Sequence, residues 1–194
     1  MNAVTGICHP PGFKCFRVNS PAILRGVAST TPPDSSSTGA KSPRPFSEDS
    51  CYFFSATPLK IHDAVGACAH KGGAFLAAFE TPEENERVKR EIRRWDEVVG
   101  EGSAAESDGG GGSALRNWAL GATDEHAEGR WAWLTTEGFV EMTYGDWMEG
   151  KPDNGGGVEG EHYLQLNGAT GDLKWDDVGN IDSNFICEYN PWKD

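Results

Sequence analysis

Two helices are predicted from the spacing of apolar positions. Ile61, Ala64, Val65 and Cys68 recur at intervals of three and four, and Val88, Ile92 and Trp95 do so again further on. Thr57 and Pro58 read as the N-cap and first residue of the first helix, which Gly72-Gly73 ends. Thr81-Pro82-Glu83-Glu84 carries a capping box, Thr81 to Glu84, at the start of the second. A strand is expected at Cys51 to Phe54. From Trp118 onward, short aromatic and β-branched runs broken by Gly, Asp and Asn predict strands joined by long loops. The expected fold class is α+β.

Two stretches lack the pattern. Ser29 to Pro45 is rich in Ser, Thr, Pro and Gly and reads as a linker, within an N-terminal segment 1–47 that carries Cys8 and Cys15. That segment is either a tail or a hairpin pinned by a disulfide. Gly100 to Ser113 reads as an insertion between the second helix and the strand near Trp118. Its glycine run, Gly109 to Gly112, lacks the Gly-Lys-Ser/Thr ending of a phosphate loop. One domain, 48–190, and a short tail, 191–194, complete the division.

Charge narrows the function. A formal net charge of −13 disfavours nucleic acid and anionic membranes as partners, since both are bound through basic surfaces. No apolar run reaches the roughly 20 residues that span a bilayer, and no signal peptide is visible, so the sequence reads as a domain or fragment of a longer precursor. Five cysteines without a Cys-x-x-Cys pair fit an oxidising, extracellular or secreted setting better than a zinc finger.

The densest chemistry lies in Trp147-Met148-Glu149-Gly150-Lys151-Pro152-Asp153-Asn154, followed by Glu161 and by Trp175-Asp176-Asp177. Oxygen-bearing side chains on Gly-rich loops suit calcium, a hard cation that takes about six to eight oxygen ligands. In this order the residues resemble the C-type lectin domain. Gly72 to Ala77, Leu120 to Asp124, Glu128 to Trp133 and Phe185 to Tyr189 extend the resemblance over roughly 48–190. The resemblance implies a C-type lectin-like fold, two helices with small antiparallel sheets and a long ligand-carrying loop region, and a non-enzymatic lectin or adhesion function. Cys68 is implied to pair with Cys187. The second disulfide of the family would need cysteines at Tyr163 and Asn180, and both are absent together. Among the rest, Cys8 or Cys15 joins Cys51, or Cys8 pairs with Cys15; one thiol is left over, free or able to bridge to another chain.

For Ca2+ the resemblance assigns the five ligand positions to Lys151, Asp153, Glu161, Asp176 and Asp177, and a cis bond before Pro152. An ammonium donates only and cannot ligate a cation, so the metal set reduces to Asp153, Glu161, Asp176 and Asp177. Three outcomes are open: Lys151 swings out and calcium binds, Lys151 pairs with Asp176 and its ammonium takes the cation's place, or the acidic cluster is solvated surface. An auxiliary calcium site maps onto Asp124, Glu128 and Asn154, with Glu161 and with His162 where the family has an acid; the alternative is that Asp124 and Glu128 cap a loop and His162, a poor calcium ligand, is a surface or strand histidine. Sugar binding is implied through Lys151, Asp153, Glu161 and Asp176, with glycans or glycoproteins as partners. Lys151-Pro152-Asp153 has the donor-first polarity of the galactose type, yet Asp176 cannot donate as Asn does, which predicts weak selectivity. The alternative function is calcium-independent protein recognition or adhesion on the same fold.

Other candidates have plainer accounts. Trp131, Trp133, Trp147 and Trp175 fall at core positions of the family. His9, His62, His70 and His126 lie in no nucleophile motif and are expected at the surface. Asp176 and Asp177, adjacent on one strand, are poorly placed to straddle a glycosidic bond.

Overall fold

A computed structural model describes residues 12–17, 49–100, 116–135, 138–155, 157–169 and 171–189. The linker 29–45, the insertion beyond Gly100, Cys8, His9 and the tail 191–194 lie outside these residues. Strands β1 (Lys14–Arg17), β2 (Asp49–Phe54), β3 (Leu59–Lys60), β4 (Phe75–Leu76), β5 (Trp118–Thr123), β6 (Ala132–Thr135), β7 (Gly138–Glu141), β8 (Tyr163–Leu166), β9 (Trp175–Val178) and β10 (Asp182–Tyr189) accompany helices α1 (Ile61–Ala69) and α2 (Pro82–Gly100). The α+β expectation holds, and the sheet is mixed.

Helix α1 starts later than Thr57-Pro58 predicts. Leu59 and Lys60 instead form β3 and pair with Ser183 and Asp182, so the ladder claims what propensity offers to the helix. Ile61, Ala64 and Cys68 are its buried face, whereas Val65 is exposed. Helix α2 begins as its cap predicts: Glu84 N donates to Thr81 Oγ1 at 3.2 Å. The return half of the box is altered, because the Glu84 carboxyl group accepts from Glu80 N at 3.0 Å and bonds the Tyr52 hydroxyl. Val88 and Ile92 are fully buried, and Trp95 packs edge-on against Trp118.

The long strand β10 organises the sheet. It pairs antiparallel with β2, β3 and β4 and parallel with β5, where Phe185 faces Ala119. From β5 the sheet continues through β6 to β7 and, on another branch, through β8 to β9. β4 approaches β5 so closely that a Cβ on Gly121 would lie 2.4 Å from the Leu76 carbonyl oxygen. Gly121 is required by packing, not by conformation. One core layer joins α2 to Trp118, Leu120, Leu164, Leu166 and Trp175; a second joins α1 to Leu76, Ala119, Phe185 and Cys187. Trp131 and Trp133 are buried, and Trp147 packs on this core half-covered.

Two disulfides close the fold. Cys68 bonds to Cys187, tying α1 to β10. Cys15 bonds to Cys51 from directly opposed positions on β1 and β2, so part of the 1–47 segment belongs to the sheet.

Candidate cation and ligand site

The site hangs from the outer strand β9. Its other edge meets Trp147 in a single parallel bridge, with Met148 N donating to Trp175 O at 2.8 Å and Trp175 N to Asp146 O at 2.9 Å. Asp146 fixes the root of this loop. Its carboxylate takes bonds from Lys89, which is buried, from Lys174, and from Asn85 Nδ2 at 2.8 Å. Burial alone would raise the Asp146 pKa, but those donors outweigh it and hold the group below the usual carboxylate value.

The loop then turns through the cis Lys151-Pro152 bond expected from the resemblance. Asp177, on β9 and buried, accepts the amides of both Asp153 and Asn154 on Oδ2, at 2.9 and 2.7 Å. Asn154 Oδ1 accepts Glu161 N at 2.7 Å, and Glu161 Oε2 accepts Gly155 N at 3.0 Å. Asn167 Nδ2 donates to Asp176 Oδ2 at 3.0 Å. Loop and strand are thus cross-linked by the same carboxyl groups that the resemblance names as ligands.

All five principal positions converge. Lys151 Nζ lies 2.8 Å from Asp153 Oδ1, 3.0 Å from Asp176 Oδ1, 3.3 Å from Asp177 Oδ1 and 3.4 Å from Glu161 Oε2. Asp176 and Asp177 are neighbours on β9, whose side chains alternate in direction, yet both reach the ammonium. Partial burial alone would lower the lysine pKa; the surrounding carboxylates, Asp153 and Asp176 first, reverse this and hold it far above its ordinary value. The same contact lowers the pKa of Asp153. Lys151 is therefore cationic at any physiological pH.

The auxiliary positions gather separately. Ligand atoms of Asp124, Glu128 and His162 lie within 4.8 Å of one another. His162 Nδ1 is 2.9 Å from Asp124 Oδ1 and 3.7 Å from Glu128 Oε2, and the Asp124 contact raises its pKa. Asn154, assigned to this set by resemblance, directs its Oδ1 to the Glu161 amide. Of the other histidines, His70 and His126 are exposed as expected. His62, also exposed, contacts the Tyr163 hydroxyl, which also bonds Glu125.

Asn167, Asn85, Lys89 and Asp146 support the site without having been singled out in the sequence. Asn167, in a Leu-Asn-Gly turn after a strand, carried the one local signal. Lys89 and Asn85 sit at i+4 and i from each other on a helix whose charge pattern looks solvated throughout.

The comparisons agree with this architecture. No family model matches the chain. Perlucin of Haliotis laevigata is 34% identical over 140 residues, covering 72% of this chain and 76% of that protein. The human Scavenger Receptor C-type Lectin carbohydrate-recognition domain superposes with a TM-score of 0.55 at 26% identity, covering 73% of this chain and 91% of that one. A Ca2+-dependent type II antifreeze protein in its Ca2+-free form gives a TM-score of 0.53 at 27% identity, over 73% and 92%. This chain belongs to the C-type lectin domain family.

Proposed function

We propose that the protein is a non-catalytic, extracellular carbohydrate-recognition module in which Lys151 is the resident competitor of a weakly held calcium ion. The observation that carries this is the Lys151 ammonium within 3.4 Å of four carboxylates. One positive charge balances only part of that acidic set. Asp176 Oδ1 and Asp177 Oδ1 are buried and face the Lys151 ammonium at 3.0 and 3.3 Å, so both oxygens are already turned toward a cation. Asp153, Glu161, Asp176 and Asp177 would hold calcium once Nζ withdraws, with water completing the shell. Lys151 cannot vacate by losing its proton, so calcium has to displace the side chain.

Bound calcium would supply the electrophilic centre on which two neighbouring sugar hydroxyls settle. Around it, Lys151 offers a donor, whereas Asp153, Glu161 and Asp176 offer acceptors. That mixture suits a vicinal diol but separates galactose-like from mannose-like arrangements poorly. The likeness to a carbohydrate-recognition domain supports glycans as the ligand class.

The test combines melting with affinity chromatography. Millimolar calcium should raise the melting temperature over that in chelator, since a ligand of the folded state stabilises it by mass action. Retention on galactose and mannose resins should be weak, similar and abolished by chelator. An unchanged melting temperature with no retention on either resin would move the chain to metal-free protein recognition, with Lys151 as a permanent counter-ion.

A further inference from the structure

We infer that Asp124, Glu128 and His162 form a separate three-ligand site for a divalent transition ion of the zinc type, not for calcium. The donor set is the first reason. An imidazole nitrogen is a poor partner for calcium but a preferred one for zinc, and one nitrogen with two carboxylate oxygens leaves the fourth position open, as in three-ligand zinc centres.

Geometry is the second reason. Ligands at about 2.0–2.1 Å from a tetrahedral ion stand roughly 3.3 Å apart. The distances from His162 Nδ1 to the Asp124 and Glu128 oxygens, 2.9 and 3.7 Å, bracket that separation. Calcium, with longer bonds and at least six ligands, would need several more donors than this trio gives.

Rigidity is the third. Asp124 is buried, and its other oxygen accepts Gly129 N at 2.8 Å, which fixes the carboxylate in the way outer-shell partners fix metal ligands. The ring of His162 is held close to the backbone: a Cβ on Gly160 would lie 2.7 Å from its Nε2. Nδ1 faces the two acids at 2.9 and 3.7 Å. On binding, the ion takes the place of the proton between Nδ1 and Asp124 Oδ1, which is released to solvent, and the neutral ring keeps its single proton on Nε2.

This site is independent of the reading given to Lys151, and the experiment separates the two. The whole chain is titrated with zinc chloride in the presence of excess calcium, by calorimetry and by melting temperature. Zinc should bind one site and raise the melting temperature; His162→Gln should weaken binding at least tenfold, and Lys151→Gln should leave it unchanged. In case His162→Gln folds poorly, the imidazole nitrogen resonances of the natural protein provide a second measurement, with Nδ1 of His162 shifting on addition of zinc. Zinc binding that persists in His162→Gln, or no zinc response in the natural chain, overturns the assignment.

Discussion

A single side chain decides the chemistry of the principal site. Gln in place of Lys151 would exchange an ammonium, which can only donate, for an amide oxygen that can accept a cation. Lys151→Gln should therefore tighten calcium binding by about tenfold or more, roughly 1.4 kcal/mol, in an isothermal titration. A loss of affinity would show that Lys151 holds the loop in shape. That the five principal positions converge was legible because Trp-x-x-Gly-Lys-Pro-Asp-Asn, Glu161 and Trp-Asp-Asp keep their order. Where the ammonium would sit was not, since two placements satisfied the same sequence. The distances of 2.8 to 3.4 Å to four acids come from folding two distant segments together.

At the scale of elements, helix α2 carries more than its amphipathic pattern reveals. Val88, Ile92 and Trp95 were readable as a face, and Thr81 as a cap. The buried polar residues Glu84, Asn85 and Lys89 on the same side were not, because periodicity treats charged positions as solvent-facing. Their partners, Tyr52, Trp175 and Asp146, come from other elements. Thr81→Ala removes the acceptor of the Glu84 amide and should lower stability by about 1 kcal/mol, measured by denaturant midpoint.

Glu84 itself makes stability depend on pH. Burial first, and the nearby Glu188 second, push its carboxyl up from 4.5 to about 8. The folded state thus binds a proton that the unfolded chain has released. Stability supplied by this group is complete below pH 4.5, declines as pH rises, and is lost through about pH 8. Melting temperature should fall as pH rises from 4.5 to about 8, the window set by that shift, and level off above it. Glu84→Gln, which cannot ionise, should flatten the decline; an equal slope in both proteins would refute the assignment.

For the whole molecule, the two disulfides divide the labour of closure. The Cys68–Cys187 bond spans 119 residues and contributes about 5 kcal/mol in the chain-entropy model; Cys15–Cys51 spans 36 and contributes about 4. A Cys68→Ala/Cys187→Ala double variant should unfold at a markedly lower temperature than the natural chain, and more readily than a Cys15→Ala/Cys51→Ala variant. The first pairing was implied by the family resemblance. The second stayed open, since Cys8 and Cys15 lie seven residues apart and only the β1–β2 register selects between them. The α+β class was visible in advance, but the parallel contact of β10 with β5 was not: strand patterns carry no direction.

Asp177 joins both halves of the site by binding the amides of Asp153 and Asn154 itself. Protection of those amides therefore comes from the protein and not from any ion. In deuterium-exchange measurements they should exchange slowly both with calcium and with chelator. What a partner arriving at this loop senses is then a change of charge on a surface of constant shape, and its rate of docking should follow ionic strength more closely than any rearrangement of the chain.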